Sequence, residues 1–260
     1  MTTQPRTTGP LGLLLIGFFA FITIGFAIGL LNIAWTYMYP EFGVQLADLG
    51  VLLFFATAGR LLVAFLSGRL IGGLGLGLVL LLGSVIAGVG LFGIVIVQTW
   101  PPLLIAMFVV SLGIGLIDAG LNTFVSANYT TSQLNWLHAS FGVGMTFAPA
   151  VVTLFVVTAQ DSWRWSYLVA LIVAVVLMVL FALTLRRWRL ASSDDATAPG
   201  SSGARVAPLH ESLRLPLVWM GIVVVFVYGS AEIGAGRLTN TLFVEGRGID
   251  QETASFWISL

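Results

Sequence analysis

"LGLLLIGFFAFITIGFAIGLLNIAWTYMY", residues 11–39, runs for 29 residues without a charged side chain. At a rise of about 1.5 Å per residue, a helix of that length exceeds the ~30 Å hydrocarbon core of a bilayer. A cleaved signal peptide has a much shorter apolar region and ends on a small-residue site, so this stretch is read as a retained first span. The rest of the chain repeats the pattern. Of its 260 residues 58% are hydrophobic and 8% charged, and the mean hydropathy is +1.03. Soluble domains carry about a quarter charged residues. A water-facing surface cannot be made from a third of that, so lipid must cover much of the molecule.

Breaks in hydropathy place seven spans at about 11–39, 49–71, 78–97, 102–126, 134–158, 165–185 and 215–244, with an eighth opening near 251. Asp48 and Pro101-Pro102 stand where helix starts are expected. Most connections are short. The exception is "RRWRLASSDDATAPGSSGARVAPLHESLR", residues 186–214, a polar Ser/Ala/Pro/Gly stretch that reads as a flexible linker. The expected architecture is all-α and polytopic. Residues 1–189 form a six-helix bundle, 190–214 a cytoplasmic linker and 215–260 the start of a second bundle. The closing "WISL" has neither a helix stop nor a polar tail, so further spans are expected beyond it.

Every one of the eleven basic residues is Arg. With a cytoplasmic N-terminus, Arg6, Arg69, Arg186, Arg187, Arg189, Arg205 and Arg214 face inward and only Arg164 and Arg247 face outward, as the positive-inside rule requires. This predicts a multi-pass protein of the cell's inner (plasma) membrane. Trp100, Trp163 and Trp165 at outer ends, and Trp136, Trp188 and Trp219 at inner ends, read as interfacial anchors.

Composition also excludes. A net charge of zero gives nucleic acid no purchase, and without cysteine there is no disulfide, thiolate nucleophile or Cys-bound metal. His138 and His210 have no metal-ligand spacing. "GGLGLG" at 72–77 lacks the preceding strand of a dinucleotide fingerprint, and "NYT" at 128–130 lies on the expected cytoplasmic side, where a sequon has no meaning. With no nucleophile constellation, phosphate loop or metal motif, no enzyme and no cofactor are expected.

Polar residues within spans carry the functional reading, because a central charge costs ~2.5–3.5 kcal/mol on insertion scales. Asp118 and Asn122 are four apart on one face of span four, while Asn135 and His138 are three apart at the start of span five. Counted from the turn near Tyr129, Asn122 and His138 lie at nearly equal depth and Asp118 about one turn deeper, so a polar cavity lined by the four between these adjacent helices is expected. Interhelical hydrogen bonding accounts for Asn122, Asn135 and His138 equally well. It does not call for an ionisable Asp118, whose proton affinity its surroundings would set. In span seven Tyr228, Glu232, Gly236 and Asn240 recur every four residues. In span one Asn32, Trp35 and Tyr39 share a face that suits either an aromatic belt or stacking on a sugar ring. Arg60 and Arg237 are in-span charges without an assigned role.

Six spans, a long linker and further spans resemble the major facilitator superfamily. More narrowly, "GIGLIDAGLNTFVSAN" (113–128), "LNWLHASFGVGMTFAPAVVT" (134–153) and "VYGSAEIGAG" (227–236) resemble its fucose–proton-symporter-like, sugar-transporting branch. The resemblance implies proton-coupled transport of a sugar or other small polar solute by alternating access, in a monomer. Carried over by position, Asp118 would be a proton-coupling site and Asn122, Asn135, His138 and Glu232 would line the cavity. Together with the span readings above, the expected proton-coupling residues are Asp118 and Glu232, and the expected substrate-binding residues are Asn32, Trp35, Asn122, Asn135, His138, Tyr228 and Asn240. The sequence departs from the superfamily in "SGRLIGGLGLG", which keeps Arg69 but has Gly72-Gly73 where an acid–base pair is usual. Efflux or exchange on the same fold, and a non-transporting membrane scaffold or sensor, are the alternatives.

Overall fold

The structure, a computed structural model, describes residues 10–159, 162–188, 214–216, 218–221, 223, 224, 227, 239 and 242–259. Six helices dominate them: α1 (Leu11–Glu41), α2 (Leu49–Leu74), α3 (Leu76–Ile96), α4 (Trp100–Asn128), α5 (Thr131–Thr153) and α6 (Arg164–Thr184). All six are long and apolar enough to cross a bilayer. The linker expected at 190–214 lies outside the described residues except for Arg214, as does most of the expected seventh span.

Local chemistry sets the helix ends. Helix α5 starts three residues earlier than expected because Thr130 and Gln133 form a capping box. The Gln133 N–H donates to Thr130 Oγ1 at 3.3 Å and the Thr130 N–H to Gln133 Oε1 at 2.9 Å. Pro101 and Pro102 open α4 as expected, where a missing N–H costs nothing. Asp48 precedes α2 but does not cap it. Its Oδ2 instead accepts from the Gln45 N–H at 2.7 Å, closing a short 3₁₀ turn, Leu46–Asp48. Helix α5 contains Pro149, whose missing N–H weakens the ladder, and then widens into a π turn at Leu154–Thr158.

Sequence neighbours are mostly not the packing partners. Helix α1 packs along α5 and, to a lesser extent, α6; α3 packs along α4 and α6; α2 lies on α4. Around the bundle the order is therefore α5–α1–α6–α3–α4–α2, an open ring with α5 and α2 at its two ends. The short helix Gln251–Ser259 rests against α5. Small residues make these contacts possible. A Cβ on Gly25 would strike the Phe141 carbonyl, and one on Gly144 the Ile22 carbonyl, so α1 and α5 meet backbone to backbone.

Two expected interfacial anchors turn inward instead. Trp188 is 3% exposed, edge-on to Phe124 and Phe181 with centroids at 4.9 and 5.5 Å, and its Nε1 donates to Thr184 Oγ1. Trp163 is also 3% exposed, and its Nε1 donates to Glu41 Oε2 at 2.6 Å. In both, burial against other aromatic rings combined with a satisfied N–H replaces the lipid interface. Glu41 also pairs with Arg164, whose second nitrogen donates to the Val97 carbonyl at 2.7 Å. The guanidinium lies 4.4 Å from the Trp163 ring centroid. One cluster thus ties together the ends of α1 and α3 and the start of α6.

Candidate functional site

The gap between the two ends of the ring is a cleft of about 770 Å³, walled by α1, α2, α4 and α5. That volume is in the range of small-molecule sites. Helix α1 contributes Phe21, Ile24 and Ile28; α2 contributes Thr57, Arg60, Val63 and Ala64; α4 contributes Gly115 and Asp118; α5 contributes His138 and Phe141. The spacing on each helix is that of one face, three or four residues apart. The cleft is therefore written into the sequence as four short stripes.

Asp118 opens onto this space. Asn122, one turn on, fixes the carboxylate: its Nδ2 donates to Asp118 Oδ1 at 2.9 Å and to the Asp118 backbone carbonyl at 3.0 Å. A donor on one carboxylate oxygen orients the group and leaves the other oxygen for a proton or a ligand. His138 faces Asp118 from α5 and stands edge-on to Phe21, with centroids 5.5 Å apart and planes at 86°. The imidazole is thereby held upright in the wall.

The cavity expected between spans four and five is corrected to one between four helices. The turn at Tyr129 joins α4 to α5, but α5 then lies on α1 and touches α4 sparsely. Four predicted site residues are not in the wall: Asn122, which holds Asp118 from one turn along the same helix, and three others. Asn135, exposed on α5, sits one turn closer to the helix start than His138. Asn32 is buried in α1, and its Oδ1 has no hydrogen-bond partner among the described residues. Trp35 is 2% exposed, packed against Tyr39 and Trp100, and its Nε1 donates to the Leu46 carbonyl at 3.1 Å. The α1 face that lines the cleft at Phe21, Ile24 and Ile28 continues to Trp35, but there the 3₁₀ turn and Trp100 cover it. Tyr228, Glu232, Asn240 and Arg237 lie outside the described residues.

Two polar residues of the cleft were not expected there, Arg60 and Thr57. The signal was available, since Thr57, Arg60 and Ala64 recur at helical spacing within "FFATAGRLLVAF". What hid it was the absence of any indication that α2 faces α1 and α5 across a gap.

The family model described as Major Facilitator Superfamily matches residues 17–260, nearly the whole chain. The chain belongs to the major facilitator superfamily. No curated protein matches its sequence. Superfamily members are membrane transporters, and the six apolar helices with a cleft between them are the part of such a carrier described above. The chain is accordingly a multi-pass membrane protein that handles small solutes.

Proposed function

We infer that this superfamily member is a proton-coupled carrier of a sugar or similarly small hydroxylated solute, working by alternating access. The observation that carries the reading is Asp118, an ionisable side chain aimed into a solute-sized cleft and oriented by Asn122. Closing the protein around the cleft confines whatever charge it holds in a low-dielectric space, and an unbalanced charge there is expensive. Protonation of Asp118 changes that balance, so uptake of a proton decides whether the loaded carrier can reorient. Release of the proton on the other side resets it. His138 places a polar ring in the same wall, Asn122 holds the carboxylate in position, and Glu232, Tyr228 and Asn240, outside the described residues, are further candidates for proton coupling and solute binding. The chain works as a monomer in the plasma membrane with its N-terminus in the cytoplasm. The resemblance to the fucose–proton-symporter-like branch lies in the span-four, -five and -seven segments of the sequence, and it favours uptake.

The test is solute uptake into proteoliposomes. An inward proton gradient is expected to drive accumulation of labelled sugars or sugar derivatives. Asp118→Asn is expected to abolish gradient-driven accumulation while leaving exchange of solute down its own gradient. A wild-type protein that equilibrates every solute in a broad panel, with no response to the gradient, would falsify proton coupling.

A further inference from the structure

The cleft holds one permanent charge that the proton-coupled reading leaves unused. Arg60 stands in the α2 wall, immediately after Gly59, whose Cβ position lies 2.7 Å from the Phe108 carbonyl and 3.1 Å from Ser111 Cβ. Gly115 meets Val63 in the same crossing, at 3.2 Å. The close approach of α2 and α4 therefore fixes both Arg60 and Asp118 in the walls of one space. They do not pair: among the described residues Arg60 has no carboxylate within 4.0 Å, and Asp118 Oδ1 is held by Asn122 instead. Among the described residues the remaining titratable group in the walls is His138 on α5, while α1 contributes Phe21, Ile24 and Ile28.

We propose that Arg60 is the anion-binding residue of this cleft, and that the transported solute is a small hydroxylated monocarboxylate, such as a sugar acid, that enters with the proton on Asp118. The proposal rests on the proton-coupled reading, and charge accounting across the transport cycle supports it. Among the described residues the walls of the empty cleft carry one negative charge on Asp118 and one positive charge on Arg60, which sum to zero when His138 is neutral. Protonating Asp118 cancels the negative charge, but arginine cannot release its own proton in compensation. A neutral sugar bound at that point leaves a lone guanidinium to be enclosed, and an unbalanced charge in the closed protein is costly. A monocarboxylate on Arg60 restores neutrality. The guanidinium fork matches a carboxylate with two parallel N–H···O bonds, and the hydroxyl groups of the solute are left for His138 and Thr57. Within the described walls, both forms that must reorient, empty and fully loaded, are then neutral.

The test uses the full chain in phosphatidylethanolamine–phosphatidylglycerol vesicles, with labelled glucuronate and glucose as probes and the membrane potential clamped by potassium and valinomycin. Glucuronate is expected to accumulate with an inward proton gradient at a rate that does not change with membrane potential, because one proton and one anion move together. Arg60→Gln is expected to weaken glucuronate binding about 10- to 100-fold, and Arg60→Lys, which keeps the charge without the fork, by an intermediate amount. Asp118→Asn, which mimics the protonated carrier, is expected to bind glucuronate in a manner that still depends on Arg60, read as protection against thermal denaturation. If glucose accumulates with the proton gradient, depends on Asp118 and is indifferent to Arg60→Gln, the anion site is wrong while proton coupling stands. If glucuronate uptake depends on Arg60 but ignores both the gradient and Asp118→Asn, the anion site stands and the coupling scheme fails.

Discussion

Asn122 turns its amide nitrogen back along α4, donating both to the Asp118 carboxylate and to the backbone carbonyl of the same residue. That pair was legible in the sequence, because residues four apart on a helix face the same way and Asp/Asn chemistry suits a donor and an acceptor. The choice between interhelical bonding and ligand contact was not legible, since either uses the same atoms. The structure has the amide bonding within its own helix, so Asn122 positions the carboxylate. Replacing it with Leu keeps the volume and removes the donor. Hydrogen bonds to charged groups contribute roughly 1.5–3 kcal/mol. Asn122→Leu is therefore expected to slow gradient-driven uptake by about 10-fold or more with little change in thermal midpoint, and uptake rates set beside a thermal melt decide it. An equal loss in both would make Asn122 structural. The same scale explains Asn32 and Trp35. Their shared face with Tyr39 is real, but a helix face carries no mark of where a neighbouring turn will cover it.

The helices themselves were readable almost to the residue where caps and prolines mark them, as at Pro101-Pro102, and displaced where a polar box reaches back, as at Thr130. Which helix packs on which was not readable. A helix that is apolar on every side has no polar stripe to point away from its partner. In lipid, packing follows shape, and shape here is set by glycines such as Gly25 and Gly144, whose Cβ positions are already filled by the opposing backbone. A side chain at Gly144 cannot be accommodated by a rotamer change, because the atom it meets is the Ile22 carbonyl. Overpacking of this kind costs roughly 1–3 kcal/mol or more. Gly144→Val is expected to lower the thermal midpoint in detergent and reduce recovery of folded protein. Gly142→Val, two residues away with open space at its Cβ, is expected to behave like the parent in the same melt. Equal melts for the two variants would mean that α1 and α5 do not approach at this crossing.

At the scale of the molecule, the two ends of the ring carry the two polar partners that face Asp118, Arg60 on α2 and His138 on α5. A carrier that alternates must change the access to this gap, and the chain offers a direct way to watch it because it contains no cysteine. Thr57 lies on the cleft face of α2, one turn from Arg60, and is exposed there. A single Thr57→Cys substitution places one thiol in the space without disturbing a packed contact. In the alternating-access scheme the cleft opens to one side at a time, and the balance shifts when Asp118 loses its charge. A membrane-impermeant maleimide is therefore expected to label Thr57→Cys from one face of sealed vesicles at a rate that changes several-fold when Asp118→Asn is added. Saturating solute is expected to slow the labelling of the otherwise unaltered background. If the rate is the same with and without Asp118→Asn, and the same from both faces, the cleft is a static pore or a dead end. The carboxylate would then have no part in moving it.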